Sequence, residues 1–122
     1  KPVSLISSLR FPKIKTLNGH TAAVNRVAFH PANADILASG GADGAVRLWN
    51  LSDGTSTLLS EHIQAVTGLA FHPQGDLLVS GSTDGQIIFW NMIEHTHIPL
   101  DTHAPVQELV FNHDGNILAS GH

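Results

Sequence analysis

The chain has 122 residues, 42% of them hydrophobic and 13% charged, with a net charge of −4; this suffices for one hydrophobic core, and one domain is expected. Its six Lys and Arg residues stand singly, so no basic stripe exists to track nucleic-acid phosphates. The absence of cysteine removes disulfides, thiolate chemistry and cysteine-based zinc sites together.

In chain order, Val3 to Leu9 is apolar but broken by serines and far too short for a membrane span. No signal peptide or anchor is read there, which makes the cytoplasm the expected compartment. Beginning at Lys1 rather than Met, the chain is expected to be a segment of something longer. Residues 1–12, including Phe11-Pro12, follow no repeat and are read as a lead-in or linker before a strand at Ile14 to Leu17.

From Gly19 onward the sequence repeats. Residues 19–50 align with 61–91 with one extra residue in the turn after Pro31, and a third copy runs from Thr102 to His122. His20 and His62 are 42 apart, Phe29 and Phe71 are 42 apart, and Trp49 and Trp90 are 41 apart. Within each copy, short apolar alternation bounded by turn residues is the strand pattern. The first copy predicts a strand ending at His30-Pro31, where proline removes a ladder donor, then strands at Ile36 to Ser39, Val46 to Trp49 and Thr57 to Ser60. Asp43-Gly44 between the second and third is a tight hairpin signal. The second copy predicts Val66 to Phe71, Leu77 to Ser80, Ile87 to Trp90 and Thr96 to Leu100.

A four-stranded antiparallel sheet recurring every 40 to 42 residues is the signature of a propeller blade. With Gly19-His20, Leu37 to Gly40, Leu118 to Gly121, Asp43-Gly44, Asp84-Gly85, Trp49 and Trp90 in place, residues 13–122 resemble the WD40-repeat β-propeller family. Repeat one is read as 13–50, repeat two as 55–91 and a truncated repeat three as 96–122. Trp-Asn stands where the family has Trp-Asp, and Glu61 and Thr102 replace the glycine before the repeat histidine. The fold class expected is therefore all-β, WD40-type blades of four antiparallel strands, in an incomplete ring. Eleven strands, 2.75 blades, fall short of the four to eight that close one, so further blades or self-association are needed.

The resemblance implies a hydrogen-bonded tetrad in each full repeat: His20, Ser39, Asp43 and Trp49, then His62, Ser80, Asp84 and Trp90. Donor chemistry agrees, since an indole N–H only donates, a carboxylate only accepts, and hydroxyl and imidazole do both. Ser, His and Asp together also suggest a hydrolase. Their repetition at matched spacing beside a Trp, without a Gly-x-Ser-x-Gly elbow, favours a structural role, and no catalytic residue is assigned. His95 and His97, expected to share one face of the outer strand with His103 nearby, raise zinc as a ligand. The repeat's own use of His20 and His62, and the turn positions of His30, His72 and His113, argue against it, so no metal and no cofactor is expected.

The resemblance further implies a non-catalytic scaffold for protein or peptide partners, with no nucleic acid and no membrane. Family partners meet residues flanking the first strand's opening valine and the residue before the turn Asp. Here these are Ala23, Asn25 and Ala42, Ala65, Thr67 and Thr83, and Pro105 and Gln107. The alternative is a regulatory or sensor propeller segment attached to a kinase or NTPase domain outside this chain.

Overall fold

The computed structural model describes residues 1–7 and 13–122, and among these it contains strands and no helix. β1 (Val3–Ser7) and β2 (Lys13–Leu17) form a two-stranded sheet. β3 (Val24–Phe29), β4 (Ile36–Gly41), β5 (Ala45–Asn50) and β6 (Ser56–Glu61) form blade one, paired antiparallel in chain order. β7 (Val66–Phe71), β8 (Leu77–Ser82), β9 (Gln86–Asn91) and β10 (Thr96–Asp101) form blade two in the same way. β11 (Glu108–Phe111) and β12 (Leu118–Gly121) pair as the start of a third. The ring is not closed.

The expected strands are present, most of them extended by a residue or two. β1 is the exception: it lies in the segment read from sequence as a lead-in, and it pairs with β2 from Val3↔Leu17 to Ser7↔Lys13. Its VSLIS alternation lacks the Trp that marks the third strand of each full repeat. The rest of that lead-in, residues 8–12 with Phe11-Pro12, lies outside the described residues. Twelve strands are therefore present among the described residues where eleven were counted.

Blades stack face to face through three apolar clusters. Ala38 and Val46 of blade one meet Val66, Leu69, Leu78, Ile88 and Trp90 of blade two. Val79 and Ile87 of blade two meet Val106 and Leu109. Val3 and Leu17 of the β1–β2 pair meet Leu37 and Trp49 of blade one.

Glycine in the second strand lets the next blade approach. A Cβ on Gly40 would collide with Val66, and one on Gly81 would lie 2.6 Å from Val106 Cγ1. Each blade thus seats the first valine of its successor in a socket that any larger residue would fill. The predicted Asp-Gly turns are present too: Gly44 at φ +81° and Gly85 at φ +89° occupy the left-handed region that a Cβ disfavours.

Candidate functional site

In blade one the four tetrad residues meet. Trp49 Nε1 donates to Ser39 Oγ at 2.8 Å, and the Ser39 hydroxyl faces His20 Nε2 at 2.6 Å. His20 Nδ1 lies 3.1 Å from both carboxylate oxygens of Asp43. The donor inventory orders the protons: indole N–H to hydroxyl oxygen, hydroxyl O–H to Nε2, and Nδ1–H to carboxylate. Asp43 also accepts the backbone N–H of Thr21 at 2.9 Å and of Ala45 at 3.1 Å. Burial works against its ionisation, but those two N–H groups and the His20 ring outweigh it and hold its pKa below the ordinary carboxylate value. Ser39 is fully buried, on the same face of β4 as Leu37.

Blade two assembles only three of its four. Trp90 Nε1 donates to Ser80 Oγ at 2.9 Å, and Ser80 Oγ lies 2.8 Å from His62 Nε2. His62 Nδ1 is buried with no hydrogen-bond partner, and Asp84 instead accepts the Gln86 N–H at 2.9 Å. The expected His62–Asp84 hydrogen bond is thus absent. Where blade one has Gly41, blade two has Ser82, and a Cβ at position 41 would lie 2.5 Å from Asp43 Oδ1 and 2.7 Å from His20 Nδ1. Blade two cannot copy that carboxylate position unaltered; Ser82 Oγ instead accepts the Asp84 N–H and donates to Gln64 O. Burial lowers the pKa of His62, against the opposing pull of the Asp84 charge.

The third copy departs further. Thr102 N donates to Gly85 O at 2.8 Å, as His62 N does to Gly44 O at 2.6 Å, so Thr102 occupies the tetrad-histidine position. His103 is displaced outward at φ 59° with an exposed ring, because this copy is one residue shorter before its valine. His122 approaches Ser120 Oγ at 2.9 Å.

The residues expected to meet partners lie at one end of the blades. Ala42 N bonds Ala23 O at 2.7 Å and Thr83 N bonds Ala65 O at 3.1 Å, so each blade presents the pair side by side. Ala23, Ala42, Pro105 and Gln107 are exposed. Asn25 and Thr67 differ in kind: Asn25 Nδ2 donates to Val66 O at 3.0 Å, and Thr67 Oγ1 donates to Val106 O. Both side chains fasten their blade to the next. Thr83 Oγ1 is hydrogen-bonded to Gln64.

Two features escaped the sequence. His30 and His72 are inter-blade clasps: His30 Nε2 donates to Gly75 O at 3.0 Å while Nδ1 accepts the N–H groups of Ala32 and Asn33. His72 repeats this with Gly115 O at 2.8 Å and the Gln74 N–H, and each ring meets the next blade's Phe edge-on. The signal was present in the Phe-His-Pro shared by both copies. The other is Arg26, on the innermost strand, which bonds the carbonyls of Asn25 and Gln107 and so links blade one to the third copy. Gly68 and Glu108 stand at its equivalents, so no periodicity marked it.

The histidines of the outer strand do not line up as expected. His95 lies in the turn before β10 at φ 58°, and only His97 is on the strand, its ring 5.0 Å from that of Trp90. No group of three metal-ligating side chains occurs among the described residues.

The repeated blades are matched by comparison with known families. The description "WD domain, G-beta repeat" fits residues 11–50 and 54–91. The chain belongs to the WD40 repeat family. WD40 relatives include Activating molecule in BECN1-regulated autophagy protein 1A of Danio rerio, 40% identical over 60 residues, 49% of this chain and 5% of the relative. Coronin-7 of Bos taurus is 40% identical over 75 residues, 61% of this chain and 8% of the relative. DDB1- and CUL4-associated factor 13 of Dictyostelium discoideum is 40% identical over 65 residues, 52% and 15%. The matched WD40 segment spans a small part of each of these relatives. WD40 repeats as a family typically mediate protein–protein interaction.

Proposed function

We propose that this chain is a non-catalytic interaction scaffold whose partner is a protein or peptide, met at the blade end that carries Ala23, Ala42, Ala65, Thr83, Pro105 and Gln107. The observation that carries the first half is the use made of Ser39. It is fully buried, and its oxygen already receives the Trp49 indole N–H, so no substrate carbonyl can approach it. Ser80 is buried and bonded identically. The Ser-His-Asp constellation is better explained as a fastener repeated with the fold than as a catalytic set.

The second half rests on rigidity and exposure. The loops at that end are tied together by main-chain bonds, Ala42 N to Ala23 O and Thr83 N to Ala65 O. Their small neutral side chains leave the backbone approachable and contribute no large anchor, so the partner must supply the aromatic or Arg residues that dominate binding energy. Asn25 and Thr67 are withdrawn from this surface by their inter-blade bonds.

The test is quantitative affinity capture with the immobilised chain, comparing wild type, an Ala42→Glu/Thr83→Glu pair and a Gln74→Glu control at the opposite end. Proteins retained by wild type and control but released by the pair mark this face. Equal retention by all three would place binding elsewhere.

A further inference from the structure

At the outer rim of the junction between blades one and two, away from the Asp-Gly turns, lies a cavity of about 340 Å³. That volume falls in the range of small-molecule sites, roughly 300–1,000 Å³. Its floor is Leu48 of β5, Leu59 of β6, Trp90 of β9 and the neighbouring Met92, all part of the apolar packing between these two blades. A smaller hollow of about 170 Å³ adjoins it and shares Leu48, Thr57 and Met92, so the space is drawn out along the junction.

Comparison of the two blades shows what the mouth of this cavity adds to the repeat. Gly54 N bonds Asn50 O in blade one as His95 N bonds Asn91 O in blade two, and the pair Trp49↔Ser56 is matched by Trp90↔His97. His95 therefore stands where blade one has Gly54, and His97 where it has Ser56. Gly54 has φ +76°, and His95 keeps this left-handed backbone at φ 58°, which a side chain adopts at a cost in strain. His97 lays its ring 5.0 Å from that of Trp90. Neither position needs an imidazole for the fold, since blade one makes the same turn and the same strand pair without one. Both histidines are exposed and both line the cavity. Among the described residues the lining carries no carboxylate, and its remaining polar side chains are Thr57, Asn91 and Thr96. Glu94, next to His95 in sequence, lies outside the lining, its backbone N–H bonded to Asn91 Oδ1. Imidazoles offer N–H donors and, when protonated, positive charge. An apolar floor with two such groups at the mouth calls for a hydrocarbon body with one anionic end.

We propose that this cavity binds a medium-chain aliphatic carboxylate. The hydrocarbon chain lies over Leu48, Leu59 and Met92 along the edge of Trp90, and His95 and His97 meet the carboxylate. The two imidazoles select an anion over an uncharged or cationic head, and the drawn-out form of the hollow suits a chain. The site lies wholly between two complete blades, at the end opposite Ala42 and Thr83, and so stands apart from the loop-face reading.

The test is isothermal titration calorimetry of the 122-residue chain with octanoate, and with octanol and octylamine as uncharged and cationic bodies of the same chain length. Octanoate should bind about threefold or more tighter than either. His95→Gly combined with His97→Ser, the residues blade one uses at these positions, should abolish that preference while octanol binding persists. Thr57→Phe, which fills the cavity from an exposed strand position that tolerates an aromatic residue, should weaken octanoate and octanol alike by about tenfold or more. No octanoate binding below micelle-forming concentrations, binding no tighter than that of octanol or octylamine, a preference that survives the paired histidine replacement, or affinity indifferent to Thr57→Phe would each overturn the proposal.

Discussion

Replacing Asp43 with alanine removes three hydrogen bonds at once, to His20, Thr21 and Ala45. The Thr21 N–H is exposed and turns to water, so little is lost there. The Ala45 N–H is part-buried and contributes about 1 kcal/mol. His20 is buried, and stripping its Nδ1–H of an acceptor adds about 1 to 2 kcal/mol, so the expected loss is about 2 to 3 kcal/mol. Asp84→Ala is the internal control, because Asp84 does not bond His62 and only the Gln86 N–H in the turn is lost; about 1 kcal/mol is expected. Urea unfolding followed by circular dichroism reads both, as a shift in midpoint at constant slope. The Asp43 effect is full above about pH 4 and shrinks as pH falls through the lowered pKa of the folded state, because a protonated carboxyl no longer favours the native fold. Equal losses for the two variants, or no measurable loss for Asp43→Ala, would refute the reasoning.

Three further outcomes are expected. His30→Ala, which removes the bond to Gly75 O and the edge contact with Phe71, should lower stability by about 1 to 2 kcal/mol, read by the same urea titration. Gly40→Ala should destabilise by about 1 to 3 kcal/mol through overpacking against Val66, and the effect should shrink in a Val66→Ala background, a coupling that a double-mutant cycle measures. Burial lowers the pKa of His62, so the unfolded chain takes up its proton first. Its contribution to stability is therefore complete above about pH 6.5 and declines as pH falls from there through the folded-state value, and thermal melts of wild type against His62→Gln should converge in slope only above that window.

The repeat was legible because a blade is built from hairpins. Strand pairs such as Leu37↔Trp49 join residues close in sequence, and a buried face with a period of two is written directly into Val46, Leu48 and their neighbours. Spacing therefore determined the strands and the turns at Asp43-Gly44 and Asp84-Gly85, while the grouping of His20, Ser39, Asp43 and Trp49 came from the family resemblance that those motifs carry. What only the tertiary structure decided lies between blades, where partners stand some 40 residues apart and local pattern carries no signal. Asn25 and Thr67 look like loop-face residues until Val66 O and Val106 O are found within their reach. His30 and His72 look like ordinary turn residues until the next blade brings a glycine carbonyl to each ring. The missing bond of His62 is finer still: the four tetrad residue types match those of blade one, and only the packed turn shows that Ser82, in place of Gly41, goes with a different carboxylate position. A hydrogen bond is set by atoms a few tenths of an ångström apart, and only the packed backbone fixes positions to that degree.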